Sequence, residues 1–312
     1  MKSVDISVII PLYNKERTVA AALRSAAAQS DPAQEIIVVD DGSTDGSAAE
    51  VERFMRENAE VPIKFVRQEN AGVSAARNRA MTEASGEFVA LLDADDSWTP
   101  DHLAQIRRVI KEYPDCGIYA SGFSVWDGSA LTDGDTPRSE GIVDFFAESL
   151  VRYVVIPSAA VLRRQTALEE GGFPAGMRMG EDQYLWTKMA RRAPVCFSPA
   201  RTTIYSREAD NRSAAIYRAE QTRFSFEELY DPAASDASNE YIARVALGKA
   251  LVQSAKGGTQ DAARAIRFFA YTRRNRRALR KVRFINALPV AWRRPVLNIY
   301  NFLAWKIARK GL

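Results

Sequence analysis

The chain has 312 residues, 46% hydrophobic and 26% charged, a composition that excludes a disordered or collagen-like protein and a small disulfide-stapled scaffold. Two cysteines, Cys116 and Cys196, and one histidine, His102, exclude a Cys-ligated zinc site and a His-rich metal cluster and argue against a Ser/His triad. The net charge of +4 hides an asymmetry: Arg264–Leu312 holds fourteen Lys/Arg and no Asp/Glu, which leaves 29 basic and 39 acidic residues before it, a net of −10.

The N-terminus runs directly into an apolar strand pattern. It reads as lacking a signal peptide, which predicts the reducing cytoplasm. Asp5–Leu12 is a β-branched run, and Lys15–Gln29 places Val19, Ala22, Leu23 and Ala26 at helical spacing. Glu35–Asp40 predicts a second strand. Asp45–Glu57 predicts a helix with Val51, Phe54 and Met55 inward and Asp45 as N-cap. Ile63–Arg67, Ser74–Ala84, Glu87–Leu92 and Pro100–Tyr113 continue the alternation of strand and helix, with Thr99 as cap of the last helix, and Gly117–Trp126 returns to strand. Such alternation predicts right-handed βαβ crossovers and a mainly parallel sheet flanked by helices. Further on, Phe145–Val151 reads as a short helix, Ala159–Arg163 as a strand and Asp182–Arg192 as a helix. After a boundary near residue 213 the pattern is helical over Ala214–Tyr230, Tyr241–Ser254 and Asp261–Thr272, with Asp231–Ser238 a polar linker and Lys256–Thr259 a turn.

Ligands of an open α/β sheet bind at the carboxyl ends of its strands. The loops there carry neither G-x-G-x-x-G nor G-x-x-x-x-G-K-[ST], which argues against a dinucleotide dehydrogenase or a P-loop NTPase. They carry acids instead. Asp93-Ala94-Asp95-Asp96 follows a buried strand without a gap, and like charges so close destabilise the fold unless a cation neutralises them. Oxygen ligands alone suit Mg²⁺ or Mn²⁺ shared with substrate phosphates; helix capping would account for one of the three acids. Asp40-Asp41-Gly42-Ser43-Thr44-Asp45-Gly46 reads by itself as a turn and cap. Beside the Asp93 loop, however, a carboxylate there can accept the imide N–H of a uracil or the amino group of another base. Taken alone, Gly72 and the helix start after it read as an ordinary capped amphipathic helix with Arg77 solvated; beside the acidic loops they suit an anion site with Arg77 as a fixed cation. In Gly180-Glu181-Asp182 either acid could favour the helix N-terminus or serve as a general base.

Together Val8-Ile9-Ile10-Pro11-Leu12-Tyr13-Asn14, Val38-Val39-Asp40-Asp41-Gly42-Ser43-Thr44-Asp45, Asn70-Ala71-Gly72 through Ala76-Arg77-Asn78, Leu92-Asp93-Ala94-Asp95-Asp96 and Gly180-Glu181-Asp182 with Leu185-Trp186 resemble the inverting glycosyltransferases of family 2, which have the GT-A fold. The resemblance covers residues 3 to 210. It implies that Pro11, Tyr13 and Asp41 hold the nucleobase, that Asp93 contacts the ribose or the metal, and that Asp95 coordinates a Mn²⁺ or Mg²⁺ bridging the donor diphosphate. Arg77 would lie on the nucleotide side, and Asp182 would deprotonate the acceptor hydroxyl. Relatives often carry a histidine near positions 205–213. This chain has none there, and Arg207, Asn211 or Arg212 are the candidates to contact the diphosphate instead.

The implied reaction moves a sugar from a nucleotide donor, UDP favoured, to a saccharide acceptor. A nucleotidyltransferase would need a Gly-rich, Lys-containing loop where Pro11-Leu12-Tyr13-Asn14 stands. A non-catalytic sugar-nucleotide-binding or scaffold protein would bind the nucleotide without turnover. The basic segment 264–312 pairs an arginine run with an amphipathic pattern of Val296, Ile299, Tyr300, Leu303 and Ile307. Its longest charge-free run, Pro295–Trp305, is shorter than the roughly 20 residues of a membrane span. That arrangement predicts a helix lying on an anionic membrane surface at the cytoplasmic face, and hence a lipid-linked acceptor in cell-surface or exopolysaccharide synthesis. No aromatics interleave the arginine run, so no nucleic acid is expected.

Overall fold

The computed structural model describes residues 4–208 and 220–309, with side chains described through residue 301. The described chain forms two compact units, 4–208 with 220–222, and 223–309. The predicted boundary at residue 213 falls outside the described residues.

In the first unit the chain builds β1 (Ile6–Leu12), α1 (Val19–Ala27), β2 (Glu35–Asp40), α2 (Ser47–Glu57), β3 (Ile63–Arg67), α3 (Val73–Glu83), β4 (Phe88–Leu91), β5 (Ser97–Trp98) and α4 (His102–Glu112). It continues through β6 (Ile118–Trp126), β7 (Leu131–Asp133), β8 (Gly141–Val143), α5 (Phe145–Ser149), β9 (Ala160–Arg163), α6 (Arg164–Glu169), α7 (Glu181–Arg192) and β10 (Val195–Ser206). The sheet runs β3-β2-β1-β4-β9-β6-β10-β5. The strands β3, β2, β1 and β4 are parallel, and the order reverses at β1, which opens a crevice above its carboxyl end. Ile6, Val8 and Ile10 of β1, Ile36 and Val38 of β2 and Phe88 and Ala90 of β4 pack with Leu23, Val51, Phe54, Leu103 and Ile106 into one core.

Several expectations change in detail. β9 runs antiparallel between β4 and β6, because the chain re-enters the sheet through a tight turn at Pro157–Ala159, beside the carboxyl end of β4. β10 was not predicted; register shifts between Ser198 and Thr203 break the alternation that would reveal it. α2 starts at Ser47, and Asp45 accepts the Ser47 N–H at 3.0 Å from just outside. α4 starts at His102 with Asp101 at the N-cap position; the Thr99 hydroxyl donates to Asp101 Oδ1 at 2.6 Å, and Gln29 Oε1 accepts the Leu103 N–H at 2.9 Å. His102 is fully buried, stacked on Trp98 at 4.3 Å and bonded to Thr202 Oγ1 at 2.8 Å. Burial pushes its pKa down to about 3, so it is a neutral core residue. Cys116 and Cys196 are buried free thiols.

The second unit is a helical array: α8 (Asp236–Ala255), α9 (Thr259–Phe268), α10 (Arg276–Ala287) and α11 (Val290–Arg309). Residues 214–219 of the predicted helix Ala214–Tyr230 lie outside the described residues; 220–225 are not helical, and Phe226–Leu229 is a single 3₁₀ turn closed by a Ser225/Glu228 capping box. The predicted linker is shorter than expected, because Ser235 accepts the Ser238 N–H at 3.2 Å and starts α8 at Asp236. Two buried charges fix the array. Glu240 accepts from the Arg273 N–H (2.6 Å), the Arg274 N–H (3.1 Å), Asn275 Nδ2 (2.9 Å) and the Thr272 hydroxyl. Burial alone would raise its pKa, but these donors hold it below the ordinary carboxylate value. Arg293, 4% exposed, donates to the carbonyls of Leu288 (2.8 Å), Asn286 (2.8 Å) and Ser254 (3.3 Å) and to Thr259 Oγ1 (2.8 Å). One of the fourteen basic residues assigned to a membrane surface is therefore an internal staple. Among the described residues no helix is long and apolar enough to cross a membrane.

Candidate active site

The crevice above β1 is assembled from loops that hold one another. Asn14, in the left-handed region at φ +50°, donates its N–H to Ser43 Oγ (3.0 Å) and accepts the Thr44 N–H on its side chain (2.8 Å). The Lys15 N–H reaches Ser47 Oγ at 2.7 Å, and Glu16 accepts the Gly46 N–H at 3.1 Å. These bonds fix the segment after β1, with Pro11 buried in the strand and Tyr13 half-buried beyond it, against the Asp41–Gly46 loop.

Asp41 is 2% exposed. Its Oδ1 accepts from Gln68 Nε2 (2.7 Å) and the Ala71 N–H (2.9 Å), and its Oδ2 accepts the Gly72 N–H (2.7 Å). The anion at the start of α3 is thus this carboxylate rather than a phosphate. A carboxylate offers about four acceptor positions, so the one left, on Oδ2, is what a base could use. Gly42 (φ +71°) lets the chain pass, since a Cβ there would lie 2.9 Å from the Asn70 nitrogen.

Arg77 is 3% exposed at the centre of the site. Nη2 lies 2.7 Å from Asp93 Oδ1, Nη1 lies 3.3 Å from Glu181 Oε1, and the guanidinium stacks over the Phe173 ring at 5.1 Å. Burial disfavours its charge, yet Asp93 and Glu181, with Asp182 beyond, raise its pKa above the ordinary value. Next to it Asn78 turns the other way. It donates to the Phe173 carbonyl (2.7 Å) and accepts the Phe173 N–H (2.8 Å), which docks on α3 the segment leading to α7.

The three acids after β4 do three different things. Asp93 faces Arg77. Asp95 faces Lys15, whose Nζ lies 2.8 Å from Oδ2. Asp96, 3% exposed, accepts from the Ser158 hydroxyl and from the Ser206 N–H (2.8 Å), while Ser158 Oγ accepts the Asp93 N–H at 3.0 Å. Burial, then Asp95 and Asp93, raise the Asp96 pKa well above the usual range. It is an internal tie between the Asp93 loop, the turn before β9 and the end of β10.

Asp182 is the second residue of α7, after Gly180 (φ +85°) and Glu181, and is half-buried. Burial and the neighbouring Glu181 push its pKa up to about 7, against the pull of Arg77. A carboxylate tuned there can accept a proton at neutral pH. Arg207, exposed beyond β10, has its N–H bonded to the Trp126 carbonyl at 2.8 Å; Asn211 and Arg212 lie outside the described residues.

The structure therefore joins Arg77, Asp93 and Glu181, with Asp182 adjacent, and it pairs Lys15 with Asp95 and Asp41 with the start of α3. Sequence reasoning missed Lys15, Gln68 and Ser158, whose partners lie 80, 27 and 62 residues away. Among the described residues no three His, Cys, Asp or Glu side chains converge on one point. A divalent cation of the Mg²⁺ type needs only one or two carboxylates when phosphates complete its shell. Asp93 Oδ2 and Asp95 Oδ1 have the chemistry for that, with the Lys15 ammonium standing where positive charge belongs.

The chain is 34% identical over 128 residues to the putative teichuronic acid biosynthesis glycosyltransferase TuaG of Bacillus subtilis, covering 40% of this chain and 50% of that one. It spans about half, or less, of the length of the first curated relatives it matches. Its fold is that of S. aureus TarS 1–349 in complex with UDP-GlcNAc (TM-score 0.62, 22% identity, 91% of this chain and 82% of that chain). It is also like the mannosyltransferase PcManGT from Pyrobaculum calidifontis, solved with GDP-Man and Mn2+ (TM-score 0.52, 20% identity, 93% and 72%). The GT-A fold expected from the sequence is thus present, and because the sequence model of Glycosyl transferase family 2 matches residues 7–170, more than half of the chain, the protein belongs to that family.

Proposed function

We propose that the chain is an inverting glycosyltransferase that moves a sugar from a nucleotide donor, UDP favoured, to a saccharide acceptor. The observation that carries this reading is the buried Arg77, which links Asp93 on the donor side to Glu181 beside a carboxyl tuned to neutral pH. The acceptor hydroxyl oxygen attacks the anomeric carbon opposite the diphosphate, its proton passes to an Asp182 carboxylate oxygen, and the carbon–oxygen bond to the nucleoside diphosphate breaks. Asp41, through its open Oδ2 position, and the backbone around Pro11 and Tyr13 receive the base. Arg77 keeps Asp93 and Glu181 apart and oriented. Asp93 and Asp95 would hold Mn²⁺ or Mg²⁺, which when bound offsets charge on the leaving diphosphate as a Lewis acid. PcManGT was solved with Mn2+, which supports the cation. Arg207, Asn211 and Arg212 are the candidate diphosphate contacts.

The acceptor side is read from the second unit and from TuaG. The exposed cations and aromatics of α10 and α11 support an anionic membrane surface bound at the cytoplasmic face, and a relative assigned to teichuronic acid supports a cell-surface polymer, with the acceptor lipid-linked. The test is Asp182→Asn. Turnover should fall about a hundred- to ten-thousand-fold, while UDP binding by calorimetry stays near the wild-type value. Retained turnover removes Asp182 from the base role, and UDP binding by a wild type that transfers no sugar marks a binding protein instead.

A further inference from the structure

α10 and α11 enclose a groove of about 350 Å³. On α10, Arg277, Arg280, Lys281 and Phe284 stand at i, i+3, i+4 and i+7 and share one face; Val296 and Tyr300 of α11 form the other wall, and Ile285 lies at the floor. Lys281 Nζ sits 3.9 Å from the centre of the Tyr300 ring and donates to Asn301 Oδ1 at 3.1 Å. Its partial burial lowers its pKa. Arg277 and Arg280 are exposed, and among the described residues neither has a carboxylate within ion-pair distance; the sequence from 264 to 312 supplies none. Phe284 and Tyr300, 59% and 53% exposed, stand at the rim. Beside them Trp292 and Ile299 extend the apolar face of α11, 64% and 59% exposed.

Cations clustered without counter-ions against an apolar wall match a ligand that is anionic at one end and oily at the other. A phosphomonoester offers three oxygens to a pair of guanidiniums and an ammonium, and an attached chain continues along Phe284, Val296 and Tyr300. We propose that the α10–α11 groove is a binding site for the phosphate headgroup of a membrane lipid. The inference rests on the membrane-surface reading above and adds to it a single built site with a choice of headgroup.

The experiment is flotation of the full chain with phosphatidylcholine vesicles that carry either phosphatidic acid or phosphatidylglycerol, matched in surface charge. Wild type should prefer the phosphomonoester vesicles about tenfold. Arg277→Ala with Arg280→Ala should reduce the preference to none, while Arg276→Ala with Arg283→Ala, an equal loss of charge on the neighbouring face of α10, should keep it. Thermal melts establish that both variants are folded. No vesicle binding by the wild type sinks the membrane reading itself. Binding that follows surface charge alone, with both double variants equally weakened, leaves the membrane reading standing and overturns the groove. Inorganic phosphate that displaces the lipid at equal concentration would assign the site to a free anion. An RNA oligomer that outcompetes the vesicles and depends on Arg277 and Arg280 would assign it to nucleic acid.

Discussion

At the residue scale the site depends on how each charge is matched. Lys15 and Asp95 form an ion pair with both side chains less than one-fifth exposed, 16% and 19%. The ammonium competes with any divalent cation for the charge of the same carboxylate. Lys15→Met should therefore tighten Mn²⁺ binding to the donor-free protein roughly tenfold, read by the free-ion EPR signal; an unchanged Mn²⁺ isotherm would mean that the pair does not oppose the metal. Asp182 makes a second prediction. In the proposed base role it must be ionised, so kcat/KM should rise with pH through about 7 and level off above it. The same shift acts on stability with the opposite sense. The folded state holds its proton to a higher pH than the unfolded chain, whose Asp has an ordinary value of 3.8. This contribution is complete below that value and is lost as pH rises through about 7. Asp182→Asn should then melt above wild type in buffers more alkaline than that, as differential scanning calorimetry would read. Asp93 and Asp182 were legible in the sequence because each sits at an element boundary. The partners that give them their character were not: no local pattern announces that Glu181 will meet a guanidinium 104 residues away.

At the scale of elements, the short signals read best where a helix or strand satisfies itself. β3 has the bounds expected of it, and the apolar spacing of α1 buries Val19, Ala22, Leu23 and Ala26. The start of α4 was misplaced by two residues where an acceptor from elsewhere serves its first turn: Gln29 Oε1 accepts the Leu103 N–H at 2.9 Å. The direction of β9 could not be read, since side-chain alternation is the same in either sense. In the second unit the sequence counts Arg293 as one more surface cation, whereas the fold satisfies it with carbonyls from the ends of α8 and α10. Removing such a buried donor set leaves several acceptors unpaired, so Arg293→Met should cost about 3 kcal/mol by urea unfolding. A cost near zero would mean that water replaces the guanidinium freely. By the same argument Glu240→Gln should lower the melting temperature, and more so at pH 7 than at pH 4, because its depressed pKa is a stabilisation present above the ordinary value of 4.5 and lost as pH falls.

At the scale of the molecule, composition had already divided the chain into an acidic body and a basic end. The parallel core and the place of its crevice followed from the alternation of strands and helices. What composition could not do was separate cations that face water from those the fold consumes. Cutting away 264–312 is a poor probe of membrane attachment, because Ile285 and Leu297 close an apolar cluster with Ala255 of α8. Point changes on exposed α10 arginines preserve that cluster and are the cleaner measurement.

Arg77 has one further consequence. A single guanidinium braces the donor end of the crevice through Asp93 and the proton-accepting end through Glu181. Whatever draws Asp93 away leaves more of its positive field for the carboxyls at the head of α7, and so makes Asp182 more acidic. Asp93→Asn should accordingly shift the ¹³C carboxyl titration of Asp182 to lower pH. On the proposed roles of Asp93 and Asp182, filling one half of the reaction chamber and readying the other would be one electrostatic event, with donor occupancy sensed by the base through Arg77.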